Sequence, residues 1–301
     1  MSILFRKKTK KEPEAIKEIT LEAAESSATV KTSAAAEEEV RNDVASDNSK
    51  SKESTFDGVA PKNIGKLDMV IAFDTTGSMA QYIGAVRKEV SDLIPQLFED
   101  NEDLRLGIVA FGDYCDMTNP QVFGDAYQSI APTDNANELI GFVITSKDTY
   151  GGDGDEFYEL VIKKIVEETP WREGSTRSIL LIADSAPHEL GYTYDKCVVD
   201  NKIDWREEAR KAADKRIKID TVTITGEPWF KELSRMTNGV SVPFRTGEKT
   251  VELVRASVMS RGSEKARMSF DKRFRESVAK GDAEMNAVFS AYKKERDSYN
   301  I

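Results

Sequence analysis

Apolar residues along this chain keep two rhythms. Met69-Val70-Ile71-Ala72-Phe73, Leu104 to Phe111 and Ser178 to Ala183 are short, nearly unbroken apolar runs, and Ile217 to Ile224 is a β-branched run with Lys218 and Asp220 interleaved. Such runs predict strands buried on both faces. Between them, large apolar residues recur every three or four positions, as in Met79, Ile83, Val86, Val90, Leu93 and Leu97, which predicts amphipathic helices. Asp134 reads as a helix N-cap for Leu139, Ile140, Val143 and Ile144, and Phe157, Leu160, Val161 and Ile165 mark the next helix. Further helices are expected over about 205–215, 229–236 and 248–260, with a short edge strand near 120–130 and a last strand at 240–244. Strands alternating with helices in this way predict an α/β fold: a Rossmann-like, doubly wound, mostly parallel sheet with helices on both faces.

The two ends of the chain break that rhythm. Residues 1–65 are dominated by Ala, Ser, Glu, Lys and Thr with few large apolar side chains, so a disordered N-terminal tail is expected. Its basic cluster, Arg6, Lys7, Lys8, Lys10 and Lys11, follows Ile3-Leu4-Phe5 and would suit an anionic membrane surface given a second anchor; a solvated tail is the favoured reading. Over 261–301, Phe270, Phe274 and Val278, then Met285, Val288, Phe289 and Tyr292, mark two amphipathic segments split by Gly281-Asp282. They predict a helical C-terminal extension, packed on the main domain at 66–260 or free to bind a partner.

Composition narrows the function classes. The 301 residues carry a net charge of −10, which argues against a nucleic-acid binder because phosphates demand a basic surface. No apolar run reaches membrane-spanning length, so no stable membrane insertion is expected. The first residues lack the order of a signal peptide, and a cytoplasmic protein is the expectation. Cys115 and Cys197 could pair across the fold, but two reduced thiols are the favoured reading for that compartment.

The chemistry concentrates in turns. Asp74-Thr75-Thr76-Gly77-Ser78 follows the first strand and precedes a long helix, at the sheet edge where open α/β folds bind ligands. One carboxylate and neighbouring hydroxyls on a tight loop suit a hard cation. Gly151-Gly152-Asp153 and Asp184 lie in two further loops expected on the same edge. Singly, each reads equally as a helix cap, a plain turn or an Asx turn; together they point to one site.

Asp74-x-Thr76-x-Ser78 after a buried strand resembles the signature of von Willebrand factor type A domains, over roughly residues 66–260. The stretches Arg105 to Asp116 and Ile182 to His188 look like the subgroup found beside atypical alpha-kinases, although no kinase segment is present. The resemblance implies a metal-ion-dependent adhesion site in which Asp74, Thr76 and Ser78 supply the first loop and Asp184 the third. Many members of the family place a threonine in the second loop; here Asp153 is the favoured equivalent, with Thr149 kept as a possible ligand. The implied ion is Mg²⁺, or Mn²⁺ or Ca²⁺, and the implied function is non-enzymatic: a protein partner presenting an acidic residue completes the coordination.

A rival reading comes from enzymes that form an aspartyl-phosphate. Asp74-Thr75-Thr76-Gly77-Ser78 also looks like their nucleophile motif, and Gly152-Asp153-Gly154-Asp155 like their metal loop. Asp74 would then be a Mg²⁺-dependent phosphatase or phosphotransferase nucleophile. Thr75 departs from that motif, and the glycine loop leads into a helix without ending a strand. His188, the sole histidine, is expected to be a plain loop residue, and without a second imidazole it gives little support to a histidine-based hydrolase.

Overall fold

The structure is a computed structural model that describes residues 65–119, 126–197, 199–243 and 247–298. The expected tail with its basic cluster, and the apolar pair Val122 and Phe123, lie outside the described residues.

Six strands form the central sheet: β1 (Leu67–Asp74), β2 (Leu104–Phe111), β3 (Tyr127–Thr133), β4 (Thr176–Ala183), β5 (Ile217–Thr223) and β6 (Ser241–Pro243). Their spatial order is β6-β5-β4-β1-β2-β3, parallel throughout except for the antiparallel edge strand β3. The hydrophobic runs become the inner strands because both faces of each are covered. Leu67, Met69, Ile71 and Phe73 of β1 point into one core, while Val70 and Ala72 point into the other.

The first core is roofed by α1 (Ala80–Asp100) and α2 (Ala136–Thr145), and by α6 (Gly247–Arg261), α7 (Glu264–Lys280) and α8 (Ala283–Asp297). The second is roofed by α3 (Tyr158–Glu168), α4 (Trp205–Asp214) and α5 (Pro228–Met236). This is the mixed α/β, doubly wound architecture that the alternation predicts. Asn135, one residue beyond Asp134, caps α2 by accepting from the N–H groups of Asn137 and Glu138.

The C-terminal helices are part of the first core. Phe270, Phe289 and Tyr292 are buried there, and Gly281 turns the chain between α7 and α8 with φ of 69°. Asp282 then caps α8 through the Met285 N–H at 3.1 Å. Truncating a side chain as buried as Phe289 to Ala is expected to cost about 3–5 kcal/mol.

Register sets the position of the site. Asp74 pairs with Phe111 and Phe73 with Ile182, so β1, β2 and β4 end together. Their following loops, with Asp74, Asp113 and Asp184, emerge along one edge of the sheet.

Candidate metal centre

The first loop is tied down by its own aspartate. Asp74 is fully buried; its Oδ1 accepts from the Thr76 N–H at 2.8 Å and the Thr76 hydroxyl at 2.7 Å. Oδ2 accepts from the Tyr158 phenol at 2.7 Å. Ser78 Oγ lies 3.2 Å from Thr76 Oγ1, and the Ser78 side chain is near enough to the Asp184 carboxyl to oppose the rise that burial gives it. Asp74, Thr76, Ser78 and Asp184 are thus brought together.

The second loop is held from β2. Asp113 caps the short 3-10 turn at Tyr114–Thr118 through the Cys115 N–H, and Asp116 returns a bond to the Asp113 N–H at 2.9 Å. Asp116 also accepts from the N–H groups of Tyr150 and Gly151, at 2.9 and 3.0 Å. Gly112 allows this approach: a Cβ there would collide with Asp116 and Thr149. Thr149 Oγ1 lies 3.0 Å from Thr75 Oγ1, so it joins the second loop to the first. Asp155-Glu156 and Ala186-Pro187 pair as a two-residue parallel bridge that joins the second loop to the third.

Glu156 is a residue that the sequence does not mark as a ligand. It is buried, and its Oε1 and Thr76 Cβ would be among the nearest atoms to a Cβ placed on Gly151, which sits at φ of 72°. Burial pushes the Glu156 carboxyl far above the usual carboxylate range, and repulsion from Asp74 adds to it. Burial likewise raises Asp74, against the hydrogen bonds from Thr76 and Tyr158, and raises Asp184. Glu156 Oε2 and Asp184 Oδ1 are buried without a hydrogen-bond partner. Buried, partnerless carboxylate oxygens beside two hydroxyls form a donor set that fits a hard divalent cation.

Asp153 is placed elsewhere. Its Oδ2 accepts from the Tyr192 phenol at 2.9 Å; its Oδ1 accepts from the Asp155 N–H at 3.1 Å and lies 3.4 Å from His188 Nε2. These neighbours belong to the His188 group and not to the Asp74 loop. His188 departs from the plain loop histidine that the sequence suggests. It is fully buried, with Nδ1 3.7 Å from both Asp113 Oδ1 and Glu159 Oε1. Burial lifts Asp113 to about 6 despite the neighbouring imidazole.

The cysteines require a correction. Cys115 and Cys197 are joined in a disulfide, with Cα atoms 5.0 Å apart. The turn after β2 and the short hairpin made by Thr193–Tyr194 and Val199–Asp200 bring two sequence-distant residues within bridging range. The sulfur of Cys115 fills the space a Cβ on Gly152 would need. Among the described residues no helix is long and apolar enough to cross a membrane.

The model of the von Willebrand factor type A domain matches residues 68–252, so the chain belongs to that family. Among solved structures, it is similar to the open conformation of the pilus adhesin SpaC from Lactobacillus rhamnosus GG. That likeness has a TM-score of 0.50 at 14% identity and covers 65% of this chain and 30% of the adhesin. An aerotolerance-related membrane protein from Bacteroides fragilis NCTC 9343, with multiple mutations to serines, aligns with a TM-score of 0.44 at 14% identity. That alignment covers 64% of this chain and 98% of the other. No curated protein matches the sequence.

Proposed function

We propose that this von Willebrand factor type A domain is a non-enzymatic protein-interaction module whose partner carboxylate is captured by a divalent cation at the Asp74 loop. The observation that carries the reading is the gathering of Asp74, Thr76, Ser78 and Asp184 around buried carboxylate oxygens that lack partners. Asp74, Ser78 and Asp184 would hold the ion, with Thr76 holding Asp74 or joining the ligands. Glu156 takes the second-loop role in place of Asp153. An all-oxygen set of this kind suits Mg²⁺, with Mn²⁺ and Ca²⁺ as alternatives.

When bound, the cation supplies local positive charge on an acidic protein, and so attracts an acidic side chain that the net charge of −10 would repel. The chain's own residues do the positioning. Tyr158 orients Asp74, Thr76 locks its other oxygen, and the two-residue bridge at Asp155-Glu156 holds Glu156 beside the first loop.

Calorimetric titration of chelator-treated protein with Mg²⁺, Mn²⁺ and Ca²⁺, alongside Asp74→Ala, tests the reading. One-site binding of at least one of these ions in the wild type, absent from the variant, is expected. Equal binding of Mg²⁺ and Ca²⁺ in both proteins would refute it.

A further inference from the structure

We propose that Asp113, Asp153 and His188 form a second cation site, for a first-row transition ion such as Zn²⁺, with Glu159 beside it. One donor atom from each of the three residues lies within 4.8 Å of the others. His188 Nε2 is 3.4 Å from Asp153 Oδ1, close to the edge of a tetrahedron of Zn²⁺ ligands with bonds of about 2.0–2.2 Å. Asp113, Glu159 and His188 are each fully buried.

Three of the four groups carry buried atoms without partners, while Asp153 Oδ1, which faces His188 Nε2, also accepts from the Asp155 N–H at 3.1 Å. Asp113 Oδ1, His188 Nδ1 and both carboxylate oxygens of Glu159 make no hydrogen bond. The outer atoms are fixed. Asp113 Oδ2 accepts from the Cys115 N–H, Asp153 Oδ2 from the Tyr192 phenol, and the His188 carbonyl from Asn201 Nδ2 at 2.9 Å. The imidazole itself lies between the rings of Tyr114 and Tyr192, at 5.4 and 4.6 Å. Side chains oriented by outer hydrogen bonds around buried, unused donor atoms of Asp113, His188 and Glu159 suit a metal site.

Charge gives the second argument. Among the described residues, the ion pairs of Asp113, Asp153 and Glu159 all run to His188. A protonated imidazole alone would leave one positive charge against three buried negative ones, a costly balance. A divalent ion bound by neutral imidazole and two carboxylates, with Glu159 alongside, halves that deficit. The donor type also separates this site from the Asp74 loop: imidazole nitrogen favours Zn²⁺, whereas an oxygen-only set favours Mg²⁺.

Because His188 is the only histidine, ¹⁵N labelling of histidine gives one pair of ring signals for the whole chain. Full-length, chelator-treated, disulfide-intact protein is titrated with ZnCl₂ and those signals are followed. One equivalent of Zn²⁺ is expected to shift them, in the wild type and in Asp74→Ala alike, and Asp153→Asn should require at least about tenfold more Zn²⁺. Ring signals that stay those of an imidazolium in excess Zn²⁺ would overturn the proposal and leave an ion-pair hub. A shift that disappears in Asp74→Ala would also overturn it, by placing the ion in the Asp74 loop. The wild-type titration can overturn the proposal by itself, whatever the fold of the variants.

Discussion

The phenol of Tyr158 donates to Asp74 Oδ2 at 2.7 Å and accepts from the Ser185 N–H at 3.2 Å, so one hydroxyl at the start of α3 ties the first loop to the third. Tyr158 is fully buried among Phe111, Trp229 and Phe230, which leaves its ring no freedom to swing away. The carboxylate it holds therefore presents a fixed orientation. Tyr158→Phe keeps the packing and removes only the donor. Divalent-ion affinity at the Asp74 site is expected to fall about 10- to 100-fold, with a stability loss of about 1–3 kcal/mol from the unpaired acceptor. Calorimetry and urea denaturation measure the two effects separately. Unchanged affinity would show that Asp74 is oriented by Thr76 alone.

Burial raises the carboxyls of Glu156 and Asp74, so the metal-free fold holds protons there that the unfolded chain releases near its ordinary carboxylate pKa. Where the native state binds more protons than the unfolded one, stability falls as pH rises. Metal-free protein should accordingly lose up to about 1.4 kcal/mol per pH unit for each such carboxyl above about pH 4.3. A saturating cation should flatten the slope, because both groups then ionise against it. Glu156→Gln should flatten the metal-free slope as well, by removing one titrating group. Urea midpoints between pH 5 and 8, with and without Mg²⁺, give the comparison; identical slopes for wild type and Glu156→Gln would contradict the assignment.

The first loop was legible in the sequence because its chemistry is local: Asp74, Thr76 and Ser78 lie within five residues and bond one another. Asp184 was legible as the polar residue that ends an apolar strand. Glu156 was not, since a glutamate just before a helix reads as an ordinary favourable charge at its N-terminus. What distinguishes it is nonlocal: the bridge to Ala186-Pro187 and the glycine turn at Gly151 carry its side chain to Thr76. Asp153 drew attention as the acid of the glycine loop, yet its direction is set by Tyr192 and His188, some 35 to 39 residues away. The same limit hid the disulfide, whose halves are 82 residues apart.

That disulfide closes a long stretch of chain that contains β4 and the second and third loops, Gly151 to Glu156 and Asp184 to His188. A crosslink of this span is expected to stabilise the fold by about 2–4 kcal/mol, chiefly through the unfolded chain. Reduction with dithiothreitol, or Cys197→Ser, should lower the urea midpoint correspondingly. Because Cys115 packs against Gly152, Gly152→Ala should destabilise the oxidised protein, as the added methyl meets the sulfur. Equal denaturation curves before and after reduction would mean that the crosslink contributes nothing to the native state.

The buried pair of Asp220 on β5 and Arg261 at the end of α6 fastens the C-terminal helices to the sheet. Arg261 Nη2 donates to Asp220 Oδ1 at 2.8 Å and Nη1 donates to Oδ2, while the Val240 N–H reaches Oδ1 at 2.9 Å. Glu295 of α8 lies 3.3 Å from the same guanidinium. Although burial alone would raise the Asp220 carboxyl, Arg261 holds it below the usual range. The stability it contributes is therefore present above about pH 3.9 and is lost as pH falls through the depressed value. Arg261→Met leaves Asp220 buried and unpaired, and is expected to cost about 3–5 kcal/mol at neutral pH. The deficit should narrow in acid, where Asp220 can take up a proton in the variant. Denaturation of both proteins at pH 7 and pH 4.5 measures it, and a pH-independent difference would assign the loss to packing against Tyr292, over whose ring the guanidinium sits at 5.5 Å.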